Sequence, residues 1–155
     1  AKKRARQEGD KFLKMEESDA ITGIGAIGLE NTTNTAYTDM RDLKVVYDNW
    51  FTERSLYENG QFDRAMDLLK DSDYLTTREG AVWFKSSLLG DTEDKVMIRT
   101  GGAPTYFATD IAYHYNKFVE RGFDRVIDVL GADHQGHVRF MDTVPIALGI
   151  DSKRL

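Results

Sequence analysis

The side chains best suited to chemistry are concentrated between Gly101 and Gly149, a stretch that contains all three histidines of the chain, His114, His134 and His137. Its clearest local pattern is an apolar run, Arg125–Leu130, followed directly by Gly131-Ala132-Asp133-His134. Open α/β sheets place ligand sites at such a transition, because the loop lies outside the carboxyl end of the strand and a glycine lets the backbone approach a ligand. The pattern therefore predicts a ligand-binding loop that begins at Gly131.

The polar residues of this loop fit two kinds of site. Asp133, His134 and His137 suit zinc or iron by ligand type. However, His-x-x-His is common by chance, and no further strong ligand stands at a recognised spacing. In the second interpretation, Asp133 accepts hydrogen bonds from sugar hydroxyls, the histidines donate to phosphate or stack on a base, and the helix that follows favours anions. We favour this second interpretation and expect no tightly bound metal.

A second candidate group precedes the loop. Tyr106 and Asp110 are four residues apart, so a helix would place both on one face near its first turn. An acid there is ordinary in a helix without any function. Beside the loop, however, the pair would form a cation pocket in which the carboxylate binds a guanidinium through two hydrogen bonds and the phenol lies against its face. Glu53, otherwise a surface charge, could supply a second carboxylate.

Periodicity and turn residues predict the elements that must position these groups. Apolar spacing predicts helices, β-branched and aromatic alternation predicts strands, and Pro or Gly marks their ends. The predicted elements are a helix over Gln61–Lys70 after an Asn59-Gly60 turn, a β-hairpin of Ala81–Ser87 with Lys95–Thr100, a helix over Tyr106–Glu120 ended by Gly122, a buried strand over Arg125–Leu130, and a helix from about His137 to Leu148 that contains Pro145. A helix–strand–helix order is half of a doubly wound α/β unit.

The N-terminal third is less regular. A helix is predicted over Lys2–Met15, whereas the glycine-punctuated run Ala20–Leu29 fits neither period. Asn31–Thr35 is polar and β-branched, which predicts a loop. A short helix could begin at Thr38, and Lys44–Phe51 favours an extended segment. We expect the first 35 residues to be a flexible segment.

Composition limits the class of protein. The 155 residues suffice for one domain, and 41% of them are hydrophobic, which is enough for a core. The net charge of −5 argues against a free-standing nucleic-acid binder. There is no cysteine, no apolar run of bilayer-spanning length and no secretory signal pattern. Because the chain lacks an initiator methionine and ends abruptly, we expect it to be a piece of a longer protein.

Two runs carry a resemblance to a known family. They are YDNWFTERSLY, from Tyr47 to Tyr57, and the continuous run from Gly80 to His137 that contains GGAPTYFATDIAYHYNKF and DVLGADHQGH. Together with the trailing ALG at residues 147–149, they resemble the arginyl-tRNA synthetases, which are class I aminoacyl-tRNA synthetases. The resemblance extends from about Met40 to Leu148 and is most specific between Thr105 and His137.

The resemblance implies a fold, a reaction and a set of roles. The fold would be α/β: part of a doubly wound, Rossmann-like class I catalytic domain, with a connective insertion over residues 1–100 that contains an N-terminal helix and the hairpin, and a second-half nucleotide-fold segment over 101–155. The parent enzyme would be a cytoplasmic ligase that activates L-arginine with ATP and Mg²⁺ and transfers it to tRNA(Arg), without contact with a membrane. Matching positions would bind arginine (Glu53, Tyr106, Asp110 and His134) and ATP (Gly131, Asp133 and His137).

The chain also departs from that family. The family's ATP signatures, His-x-Gly-His near the start of the fold and Lys-Met-Ser-Lys-Ser after it, are not found at those places in these 155 residues. We therefore expect no catalytic residue within the fragment, no aminoacylation by the fragment alone, and self-association through surfaces that lack their partners. Two alternatives stay open: a metal-dependent hydrolase that uses Asp133, His134 and His137, and a non-catalytic binding module.

Overall fold

The computed structural model describes residues 10–155, which divide after Trp50 into two compact units. The elements of the first unit are a 3₁₀ turn at Phe12–Lys14 and helix α1 (Glu17–Asp42). The helix predicted over residues 2–15 lies mostly outside the described residues. Within residues 10–155, no helix combines the length and the apolar character needed to cross a membrane.

Helix α1 is a single 26-residue helix, so the predicted loop at residues 31–35 and the predicted separate helix from Thr38 are wrong. The reason is local hydrogen bonding. The threonine hydroxyls donate to the carbonyl four residues earlier at 2.9–3.0 Å, in the pairs Thr22–Ser18, Thr32–Gly28, Thr35–Asn31 and Thr38–Asn34. Side chains that would otherwise compete with the helix are satisfied along it, and weak propensities are overridden.

No residue of α1 is buried. Ile21, Ile24 and Leu29 are each more than half exposed. Beyond α1, residues 44–50 form no strand, although Lys44–Phe51 was expected to be extended; the ring of Trp50 instead lies 3.8 Å from that of Tyr37 and 5.4 Å from that of Tyr47. The first unit is therefore held by helix hydrogen bonds and one aromatic cluster.

The second unit combines helices with one small antiparallel sheet. Its elements are α2 (Arg54–Glu58), α3 (Gln61–Asp71), β1 (Leu75–Arg78), β2 (Ala81–Phe84), β3 (Lys95–Ile98), α4 (Tyr106–Tyr115) and α5 (Val138–Ala147). The strand order is β1-β2-β3, and both pairings are antiparallel. The predicted hairpin is confirmed as β2 and β3, whereas β1 was not predicted.

The predicted helices of this unit are confirmed, with local differences. Gly60 has φ 64° and begins α3, as the Asn59-Gly60 turn requires. Helix α4 continues as a π-helical turn, Asn116–Glu120, and Gly122 follows it with φ 67°. Pro145 lies in the last turn of α5, which ends two residues later at Ala147, so the proline does not interrupt the body of the helix.

The core lies between one face of the sheet and helices α2 to α5. Its fully buried side chains come from all of these elements: Leu56, Leu69, Phe84, Met97, Ile111, Phe140 and Val144. Phe84 of β2 packs edge-on against Phe140 of α5, with ring centroids 6.2 Å apart. This contact ties the sheet to the helix that follows the predicted ligand loop.

The predicted buried strand at residues 125–130 is wrong for this chain. Val126 is 7% exposed, but Ile127 and Val129 are 75% and 93% exposed. The segment forms no strand pairing with the described strands, and the amide of Val126 donates instead to the carbonyl of Arg154, at 2.7 Å. An apolar run becomes a buried strand only where other strands lie beside it, and none of the described strands does.

Replacing Phe84 tests the position of the core. Phe84→Ala should lower the free energy of unfolding by about 3–5 kcal/mol, because a fully buried ring is removed and a cavity remains. Urea denaturation of both proteins measures the change. Leu88→Ala is the control, since Leu88 is 69% exposed and its loss should change stability by no more than about 0.5 kcal/mol. Equal effects of the two substitutions would contradict this core.

Candidate functional site

A cleft of about 1040 Å³ is lined by α4, by residues 128–130 of the extended segment, and by the 3₁₀ turn Ala132–His137 that precedes α5. Most of its polar lining consists of titratable side chains: Glu93, Lys95, Tyr106, Asp110, Tyr113, His114, Lys117, Asp128, Asp133, His134 and His137. A cavity of this volume can accept a ligand of nucleotide size. Acidic and basic side chains both line it, so it offers both hydrogen-bond donors and acceptors.

Five of the seven predicted site residues line this cleft: Tyr106, Asp110, Asp133, His134 and His137. Gly131 does not line it. A Cβ atom on Gly131 would lie 2.5 Å from Oδ1 of Asp133, so the glycine here allows a close approach to Asp133. Glu53 borders a separate, smaller pocket.

Asp110 accepts a hydrogen bond from His137. The distance from Nε2 of His137 to Oδ2 of Asp110 is 2.8 Å. This bond joins the second turn of α4 to the residue that begins α5. The predicted arginine-binding acid and a predicted nucleotide-binding histidine are therefore direct partners across the cleft.

Tyr106 lies on the other side of the same histidine. Its ring centroid is 4.1 Å from that of Phe107 and 5.4 Å from that of His137. Tyr106 is 62% exposed, so its ring is available to a ligand. The helical spacing of Tyr106 and Asp110 places both side chains in one cleft, as predicted.

The smaller pocket, of about 170 Å³, also contains Asp110. It is lined by Glu53, Thr109 and Asp110 together with Phe51, Leu56 and Tyr113. The rings of Phe51 and Tyr113 stack with centroids 4.4 Å apart. Two carboxylates therefore border one small cavity with an aromatic wall, which is a chemical environment suited to a flat cation.

A cluster that sequence reasoning missed lies deeper in the cleft. His114, only 1% exposed, places Nε2 2.7 Å from Oδ2 of Asp128, and Lys117 donates from Nζ to Oδ1 of Asp128, also at 2.7 Å. Burial on its own would raise the pKa of Asp128, but the hydrogen bonds from His114 and Lys117 outweigh it and hold that pKa well below its usual range. The helical spacing of His114 and Lys117 was visible in the sequence; their common partner 11 residues further on was not.

Both ring nitrogens of His114 face acceptors. Nδ1 lies 2.8 Å from the backbone carbonyl of Asp110, and Nε2 faces the carboxylate of Asp128. A carbonyl and a carboxylate are both hydrogen-bond acceptors, so the ring is held between two acceptors. The cluster fastens the extended segment to α4 and to the π-helical turn that follows it.

The predicted nucleotide loop is an exposed part of the cleft. Nδ1 of His134 lies 3.1 Å from Oδ1 of Asp133, and both side chains are more than half exposed. Within residues 10–155, no group of three histidine, cysteine, aspartate or glutamate side chains is arranged to hold a metal ion.

Comparisons with known proteins agree on one class. Curated arginine–tRNA ligases from Dehalococcoides mccartyi strain BAV1 and Carboxydothermus hydrogenoformans are 52% and 46% identical to the chain over 147 residues, which is 95% of the chain and 26% of each ligase. A crystal structure described as an arginyl-tRNA synthetase from Campylobacter jejuni superposes with a TM-score of 0.87 and 30% identity, over 99% of this chain and 33% of that one. No protein-family profile matches the chain.

These matches define an aminoacyl-tRNA synthetase segment. The chain belongs to the arginyl-tRNA synthetase family, as its two motif runs indicated, and it spans about a quarter of the length of the curated relatives it matches.

The Asp128 cluster makes stability depend on pH. The pKa of Asp128 is lower in the folded chain than its usual 3.8. The contribution of Asp128 to the free energy of unfolding is therefore complete above about pH 5 and is lost as the pH falls through the folded pKa. Asp128→Asn should therefore lower the free energy of unfolding by about 1–3 kcal/mol at pH 7, and by less near pH 3.

Urea unfolding of both proteins between pH 7 and pH 3 measures this difference. Asp142→Asn is the control, since Asp142 is exposed on α5 and forms no ion pair within the described residues, and it should shift stability by no more than about 0.5 kcal/mol. A difference between wild type and Asp128→Asn that stays constant with pH would contradict the ion pairing.

Proposed function

We propose that this chain supplies the arginine-recognition surface of a cytoplasmic synthetase that activates L-arginine with ATP and transfers it to tRNA(Arg). The observation that carries the proposal is the position of Asp110, which borders both the small two-carboxylate pocket and the large cleft. A guanidinium bound at Asp110 would place the rest of the amino acid at the cleft. Family membership supports the substrate class.

The small pocket suits the head group of arginine. In the proposed complex, Asp110 accepts two parallel hydrogen bonds from the planar guanidinium, and Glu53 adds a second negative charge. Tyr106 covers the cation from the cleft side. Lysine is rejected because an ammonium is a point charge that cannot reproduce the planar, bidentate geometry.

The large cleft is proposed to hold ATP. Asp133 would accept hydrogen bonds from the ribose, with the backbone at Gly131 nearby, while His137 lies towards the nucleotide and His134 contacts the amino acid. Mg²⁺ would accompany the ATP phosphates, as it does where one or two carboxylates share the ion with its substrate. The volume of about 1040 Å³ supports a ligand of this size.

The chemistry needs no nucleophile from the protein. The arginine carboxylate attacks the α-phosphorus of ATP, the bond from that phosphorus to the leaving oxygen of pyrophosphate breaks, and arginyl-adenylate forms. A hydroxyl of the terminal adenosine of tRNA then takes the arginyl group and releases AMP. The residues of this chain contribute by positioning and by electrostatics. They bind the substrate and do not react with it.

The complete nucleotide fold is also a proposal. Residues 1–100 would be the connective insertion and residues 101–155 part of the doubly wound catalytic domain. The apolar run 125–130 would become a strand of the parallel sheet once the neighbouring strands of the parent protein lie beside it. The exposure of Ile127 and Val129 supports this, and it also favours self-association of the isolated chain.

The carboxylate of Asp110 can be tested in the complete enzyme. Asp110→Asn should raise the arginine KM and lower kcat/KM by at least ~10-fold, because a charge-assisted hydrogen bond contributes about 1.5–3 kcal/mol. Steady-state kinetics at saturating ATP measure the change. Asp142→Asn is the control, because it removes an exposed carboxylate that lies outside the cleft. If Asp110→Asn leaves both constants unchanged, Asp110 does not bind arginine.

The isolated chain should not form the adenylate. Residues 134–137 spell His-Gln-Gly-His, but they follow the extended segment and do not stand near the start of the fold, and Lys-Met-Ser-Lys-Ser is absent from the 155 residues. The donors that stabilise charge at the α-phosphorus are therefore missing. Arginine-dependent ATP–pyrophosphate exchange should stay at background, with the complete enzyme as the positive control. Robust exchange by the chain would disprove this prediction.

A further inference from the structure

The hydrogen bond between His137 and Asp110 orients the carboxylate from one side only. Oδ2 of Asp110 accepts from Nε2 of His137 at 2.8 Å, whereas Oδ1 has no hydrogen-bond partner within the described residues. The side chain of Asp110 is 35% exposed and that of His137 only 13%. A partly exposed acid is thus held by a largely buried donor, with one oxygen still available.

The ring of His137 is itself confined. It stacks on Phe107 with centroids 5.3 Å apart and an angle of 22° between the planes, and the ring of Phe140, in the first turn of α5, lies 5.1 Å away. Phe140 is fully buried in the core. The direction of the Nε2–H bond is therefore set by packed aromatic rings and not by solvent.

These contacts have a consequence for ligand binding. Two parallel hydrogen bonds to a guanidinium require the carboxylate plane to be fixed, and an unrestrained aspartate must lose rotamer freedom to form them. An oxygen that accepts from His137 keeps a second lone pair, so the histidine does not prevent a bidentate contact. We propose that His137 is a positioning residue for the arginine pocket, one that holds Asp110 in its ligand-binding rotamer before arginine arrives.

This inference rests on the proposed arginine pocket, and it differs from a simpler alternative in which His137 competes with arginine for Asp110. The two make opposite predictions. Removing a competitor tightens arginine binding, whereas removing a positioning residue weakens it. Two substitutions separate the donor from the ring: His137→Phe keeps a flat aromatic side chain without the N–H group, and His137→Gln keeps an N–H donor without the ring.

The first experiment needs no ligand. Three-bond couplings from the backbone ¹⁵N and ¹³C′ nuclei to Cγ report the χ1 rotamer of Asp110 in the labelled full chain. We expect a single rotamer in the wild type and averaging in His137→Phe. His137→Gln and the control Arg139→Gln, an exposed residue in the same helical turn, should keep the single rotamer. Averaging in the wild type, or a single rotamer in His137→Phe, would overturn the proposal.

The second experiment measures the affinity of the full chain for L-arginine and for its neutral isostere L-citrulline by calorimetry. We expect His137→Phe to weaken arginine binding about threefold to tenfold, with His137→Gln retaining most of the affinity. Tighter or unchanged binding by His137→Phe would refute the positioning role. If the wild type does not prefer arginine to citrulline, the proposed pocket fails instead, and the rotamer measurement still decides whether His137 holds Asp110.

Discussion

The hydrogen bond between Asp110 and His137 is the contact on which the cleft depends. It connects α4, which carries Tyr106 and Asp110 of the candidate arginine site, to the last residue of the 3₁₀ turn Ala132–His137, which belongs to the candidate nucleotide loop and leads into α5. The histidine ring is fixed by Phe107 and Phe140, and Phe140 packs on Phe84 of the sheet. The geometry of one partly exposed carboxylate is therefore set by the hydrophobic core.

The Asp128 cluster provides the second connection between the same two parts of the unit. The segment that precedes the loop has no strand beside it in the described residues, so backbone hydrogen bonds cannot hold it on α4. Instead, His114 and Lys117 both bind the carboxylate of Asp128 inside the cleft. Burying a carboxylate carries a desolvation cost, which two short hydrogen bonds to the same group can offset. It leaves the outer face of the segment, with Ile127 and Val129, open to solvent.

The two pockets that Asp110 borders differ in size and charge, and each is proposed to bind a different part of the substrates. The smaller cavity has two carboxylates and aromatic walls, so it suits a flat cation; the larger has donors and acceptors of both signs, so it suits a polar ligand with phosphates and hydroxyls. Asp110 borders both cavities, so in the proposed complex the cation and the reacting carboxylate of one amino acid would lie at adjacent sites. Family membership agrees with this reading, since the relatives are named as arginine–tRNA ligases.

The sequence by itself determined what depends on neighbours along the chain. The helices at residues 61–71 and 106–120 followed from apolar spacing, the hairpin from alternation, and the shared cleft of Tyr106 and Asp110 from four-residue spacing, because these patterns are set by the geometry of a single helix or turn. Two ordered motif runs were also enough to indicate the family. Tertiary structure decided the rest. Whether residues 125–130 form a strand depends on neighbouring strands, and none of the described strands lies beside them. The hydrogen bonds of His114 with Asp128 and of His137 with Asp110 join residues 14 and 27 positions apart, for which no local pattern exists.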